Sequence, residues 1–328
     1  IGKGSFENTG LKKVELNLVT TLYRIGDYGC QFSGCSKLTH VTMKNITYVQ
    51  NMMFENCINL VYIDFPKVNI LGYLSFIGCN SLNNITFPSI DWIGGKSFMN
   101  NQCITEIKLP TVRKILSNVF YNCTNLVKVD CENCIRIDSE AFKDCCKLKT
   151  ISFPKLTTIQ TSAFQNTALT KIELDMAFSF NSDGSSKQFA DCKYLEQVTM
   201  LNARFIDPFT FEGCINLKYI QIPKVFSIDK YAFLNCNSLT KLTLEKVKYI
   251  GYNVFKGCNR LTNINLPIVN EIYDFAFVNC SNLVLFQAPK CSKIRQFAFH
   301  NCIKLSKVKI PKTTNVYNTS FSNTSIKN

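Results

Sequence analysis

The sequence predicts an α/β repeat fold: a right-handed solenoid of about fourteen coils, with a long parallel β-sheet on one face and short turns or 3₁₀ segments on the other. Three observations predict it. Phenylalanine recurs at a 22-residue step, at positions 32, 54, 76, 98, 120, 142 and 164, and again from Phe189 to Phe321. Eight apolar slots per coil keep fixed places around each Phe. Proline follows the last apolar slot in many coils, as at Pro66, Pro110, Pro223 and Pro267.

The unit reads P-K-V-x-x-I-x-x-x-A-F-x-x-C-x-x-L-x-x-I-x-L, and Pro223 to Leu244 is a clean copy. Eight apolar positions cannot close a core within one coil, but stacked coils bury them as continuous ladders. The end of L-x-x-I-x-L has apolar residues two apart, the spacing of a half-buried strand, so each coil contributes one strand at about 4.8 Å per coil. Proline then ends the ladder pairing and opens a turn. The A-F-x-x-C stretch is too short for more than one helical turn, so a 3₁₀ or single α turn is expected there.

These strings resemble the BspA-like, or type 5, leucine-rich-repeat family. The carrying residues include Ala163–Phe164 and Phe54, Cys57, Leu60, Ile63, Phe65 and Pro66, and the resemblance runs along the whole chain. The family's usual Ile-Gly pair survives only at Ile25–Gly26, Ile93–Gly94 and Ile250–Gly251. The resemblance implies a surface or secreted protein that engages a host or another cell.

Three anchors are abnormal. Phe6, Phe164 and Phe321 are followed by Asn-Thr in place of x-Cys. They divide one continuous solenoid into two tandem seven-coil blocks, approximately 7–164 and 165–321, and the stretch Phe54–Val68 closely matches Phe211–Val225. Duplication of an ancestral block is the expected origin. Irregularities are expected near residues 17–31 and 175–188, where the spacing lengthens. Neither end shows a distinct polar cap, so the array reads as open to further coils. No signal peptide is visible, and the start at Ile1 leaves a processed N-terminus open.

The 328 residues are 46% hydrophobic and 18% charged, which excludes a disordered chain. No apolar run reaches the length of a membrane helix. The net charge of +14 is spread without a basic run of five, so nucleic acid is not an expected partner. Eleven of the 17 cysteines, among them Cys57, Cys123, Cys214 and Cys258, fill one ladder slot and read as buried free thiols. Stacked at about 4.8 Å, their Cβ atoms lie beyond disulfide reach. Cys131 and Cys134 form C-x-x-C, but both sit in apolar slots, so core filling explains them without a metal. With only His40 and His300, and no phosphate-binding glycine motif, no catalytic set is marked: neither an enzyme nor a cofactor is expected.

Two surfaces are candidates for a ligand. On the sheet face of the second block, Lys218, Lys241, Lys307 and Lys309 stand against one acid, Glu196, with Tyr219 as a larger contact. On a side lane between the Val and Ile slots, Tyr48, Ile70 and Trp92 occupy one position in consecutive coils and should stack as an exposed stripe. The expected function is therefore non-catalytic recognition or adhesion toward a protein or glycan. The alternative is a structural protein whose blocks stack end to end.

Overall fold

In the computed structural model the chain forms two compact units, Ile1–Leu156 and Thr157–Asn328. The structure describes residues 1–22, 28–83, 85–174, 179–180 and 186–326. Of the irregularities expected near 17–31 and 175–188, residues 23–27, 175–178 and 181–185 lie outside the described residues.

Each unit is a β-solenoid of short parallel strands, and among the described residues there is no helix. The expectation of an α/β repeat is thus corrected to an all-β one. About 12 turns carry regular strands, not fourteen. The second unit shows one reason: at Lys241 the ladder is reduced to an isolated bridge to Tyr219.

The L-x-x-I-x-L segments form three-residue strands whose middle residue is buried, as in Tyr62–Asp64 around Ile63. Parallel pairing advances one coil per strand, with Val41 opposite Ile63 and Val198 opposite Ile220. The expected single long sheet is not what forms. The V-x-x-I segments build a second parallel ladder of two-residue strands, such as Tyr48–Val49 pairing with Ile70–Leu71. Both ladders are cut into sheets of three or four strands. Each coil places only two or three residues in extended backbone before it must turn, so no strand grows longer.

The segment around each Phe is a chain of turns, not the expected 3₁₀ helix, for a backbone reason. Two positions per coil take left-handed φ, such as Met52 at 56° and Asn56 at 55°. A helix cannot run through left-handed residues. Alternate N–H groups therefore close i→i−3 turns, as Cys57 to Phe54 at 3.2 Å, while the others bond the next coil, as Asn56 to Ile77 at 2.8 Å. The position two after the Phe is Asn, Asp or Gly in every coil from Asn8 to Asn323, with φ between 55° and 78°. These are the residue types that enter this region most readily. At Gly213 an added Cβ would also sit 2.6 Å from the Asp191 carboxylate oxygen.

The Phe rings stack as one file within each unit. Centroid distances run from 5.2 to 5.6 Å between Phe6 and Phe142, and from 5.0 to 5.7 Å between Phe164 and Phe321. The cysteine ladder beside them is more than apolar filling. Cys57 Sγ donates to the Phe32 carbonyl at 3.0 Å, Cys79 to Phe54 at 3.0 Å, and Cys236 to Phe211 at 3.1 Å. Cysteine is a small residue with a weak donor, so it fills the slot and gives the carbonyl that closes the preceding coil's turn a second donor. The three Asn-Thr coils keep a donor there: Thr9, Thr167 and Thr324 each bond their own coil's Phe carbonyl at 2.9 Å.

Candidate functional site

The lysine surface does not assemble as a single row. Lys218 sits one position before Tyr219 in its strand edge, and its ammonium pairs with Glu196 at 3.0 Å. Lys241 lies opposite Tyr219 across the isolated bridge. Lys307 and Lys309 face outward from a separate sheet, opposite Leu285 and Gln287. The five residues therefore form two clusters, with Asn263, Asn265, Leu285 and Gln287 between them. Tyr219 is half-exposed at 48%. The exposed Lys218–Glu196 pair contributes about 0–1 kcal/mol but removes one free positive charge from the face.

The side lane does assemble. Tyr48, Ile70 and Trp92 are register partners in consecutive strands of the second ladder. In a two-residue strand the second residue turns inward, here Val49, Leu71 and Ile93, so the first is held at the surface. Ile70 and Trp92 are 36% and 40% exposed. Together with Tyr28 and Tyr73 they line a groove of about 690 Å³. Asn51, Gly72, Gly95, Lys96 and Asn118 also line it. Asn51 is fixed by the Tyr73 N–H, which donates to its Oδ1 at 2.8 Å. On its other flank Trp92 lines a second hollow of about 610 Å³ with Asp91, Arg113 and Lys114. The only Trp of the chain thus forms a ridge between two concavities, one aromatic and one charged.

The equivalent lane in the second unit, Phe205, Ser227 and Tyr249, is also in register. Beyond it the structure reveals aromatics that the reading of the repeat passed over. Phe209, Tyr231, Phe275 and Phe297 share the slot two before the anchor Phe, and all have left-handed φ between 55° and 61°. Cations cap this surface: Lys187 lies over the Phe209 ring at 5.4 Å and Arg295 over Tyr273 at 4.5 Å. The signal was present as aromatic residues recurring at one fixed offset from the anchor.

Among the described residues no group of three or more His, Cys, Asp and Glu side chains could hold a metal. The Cys131 and Cys134 thiols contact the carbonyls of Val112 and Arg136, each at 3.3 Å. Among the same residues no helix is long and apolar enough to cross a membrane.

Comparison with known proteins places this geometry. No curated protein matches the chain. A leucine-rich repeat protein from Bacteroides ovatus superposes with a TM-score of 0.67 at 21% identity, over 95% of this chain and 84% of that one. A leucine-rich cell surface protein from Faecalibacterium prausnitzii gives 0.50 at 21% identity, over 93% and 89%. At such identities the likeness is one of fold. The family model described as BspA type leucine rich repeat region matches residues 1–127, 69–196, 113–239, 182–290 and 204–327. The chain belongs to the BspA-type leucine-rich-repeat family.

Proposed function

We propose that the chain is a non-catalytic recognition module of a surface or secreted protein, which binds a protein or glycan of another cell. The observation that carries this reading is the groove lined by Tyr48, Ile70 and Trp92. Aromatics held half-exposed around a concavity, with polar groups at fixed places, are the features of a binding hot spot. Backbone ladders hold these side chains in place, so little conformational freedom is lost on binding. The description of the Faecalibacterium relative as a cell surface protein supports the location.

The lysine clusters are a second contact surface on this reading. Lys241, Lys307 and Lys309 make no ion pair among the described residues, which leaves them available to an acidic partner. The two units are further proposed to descend from one duplicated seven-coil block. A binding screen of the purified chain against cell-surface proteins and a glycan panel tests the function. Binding that disappears in Trp92→Ala is the expected result. The absence of any binding partner in both panels would count against recognition and for an assembly role.

A further inference from the structure

The second unit carries an aromatic file with one break in it. Phe209 stacks on Tyr231 at 4.8 Å and 11°, and Phe275 stacks on Phe297 at 5.3 Å and 8°. The coil between these pairs has Asn253 in the same slot, with the same left-handed backbone at φ 57°. Removing one ring from such a file leaves two coil spacings, about 10 Å, between Tyr231 and Phe275. A ring placed there would contact each wall at about 3.5–4.0 Å. Tyr252, edge-on to Tyr231 with centroids 5.2 Å apart, closes one side. The resulting hollow measures about 520 Å³.

The hollow also presents a polar group to solvent. Asn253 is only 8% exposed and lines the hollow, yet its side-chain amide has no hydrogen-bond partner among the described residues. In the same slot of the first unit, Asn118 donates its amide to the Glu140 carboxylate at 2.9 Å. The residue one coil on from Asn253 is Phe275, which has nothing to offer it.

The rim is charged but internally balanced. Arg295 bonds Glu271 at 2.6 Å and lies 3.9 Å from Asp274, and Lys293 also holds Glu271 at 3.1 Å. Asp274 in turn accepts the Gln296 N–H at 3.1 Å. A charged ligand would have to break these pairs. A neutral ring bearing hydroxyls would not: its C–H faces suit the aromatic walls, and its hydroxyls can both donate to and accept from the Asn253 amide. We propose that the break at Asn253 is a subsite for one neutral sugar ring of a glycan, walled by Tyr231, Tyr252 and Phe275. This rests on the reading of the chain as a recognition module and adds a ligand class and a second place of contact.

The test uses saturation-transfer NMR on the whole chain with methyl β-glucoside, methyl β-galactoside and methyl N-acetyl-β-glucosaminide. At least one should receive saturation from the protein. Asn253→Phe should weaken that binding about tenfold or more, because it fills the break and removes the amide. The variant should fold, since Phe275 and Phe297 already hold the same backbone conformation. Equal transfer in Asn253→Phe, or no transfer to any of the three, overturns the proposal. An unglycosylated protein such as serum albumin binding where no glycoside does, and blocked by Asn253→Phe, would make the ligand a polypeptide and overturn it too. Loss of glycoside binding alone leaves the Trp92 groove and the recognition reading standing, whereas loss of all partners in the wider screen removes both.

Discussion

The Cys57 thiol donates to the carbonyl of Phe32, one coil earlier, at 3.0 Å, and Cys214 repeats the bond to Phe189 at 3.1 Å in the second unit. The bond ties each coil to its neighbour beside the stacked rings. Cys214→Ala should lower unfolding free energy by about 1–3 kcal/mol, from the lost donor and the small cavity. Cys214→Thr should lose less than Cys214→Val, because Thr already serves this slot at Thr9 and Thr167. Urea unfolding of the three variants measures the order; Val at least as stable as Thr would show that the donor is idle.

Burial pushes the ladder thiols upward, Cys192 to about 11 and Cys57 to about 12. Their neutral form is favoured by folding, so this stabilisation is complete below the unfolded thiol value of about 8.5 and is lost as pH rises toward 11–12. Unfolding free energy should fall steadily between pH 9 and 11, and a flat profile there would contradict the ladder. In the native protein a thiol reagent should react first at exposed Cys146, then at the half-buried Cys30 and Cys103. Denaturation should release the remaining thiols toward the full 17.

Asn301 sits at φ 60°, donates to Asn279 at 3.0 Å and accepts from Asn323 at 2.7 Å. Asn301→Ala should destabilise by about 1–2 kcal/mol through left-handed strain. Asn301→Gly should recover the backbone part but not the amide ladder. Thermal unfolding should place Gly between Ala and the parent; Ala equal to the parent would mean the turn relaxes without strain.

The core was legible because one ring and one thiol repeat at a fixed step, and the structure stacks Phe54 on Phe32 and Phe76 as that step requires. The back of each coil was misread because A-F-x-x-C was weighed by length alone. The Asn, Asp or Gly two after every anchor Phe, from Asn8 to Asn323, already specified a left-handed residue incompatible with 3₁₀ helix. The second strand ladder was missed because two-residue strands leave no alternation to detect. The Tyr48–Ile70–Trp92 alignment was visible since it needs only the repeat register. The lysine surface looked like a row because pooled strand positions hide which column each side chain occupies, and Glu196 had no visible partner.

A recognition module should be a monomer on its own. Light scattering over a wide concentration range should give one mass near 37.3 kDa. Mass rising with concentration would favour end-to-end assembly of blocks.

The central claim is that the aromatic lane, more than the lysine face, carries recognition. The most direct measurement compares Trp92→Ala with the triple variant Lys218→Ala, Lys241→Ala, Lys307→Ala, against whatever partner the screen returns. Each exposed lysine contact should contribute about 0.2–1 kcal/mol and be screened by salt. The triple variant should therefore lose only several-fold in affinity, with a flatter salt dependence. Trp92→Ala should lose about 2 kcal/mol or more, at low and high salt alike. Binding abolished by the triple variant but untouched by Trp92→Ala would contradict the account and move the site to the lysine face.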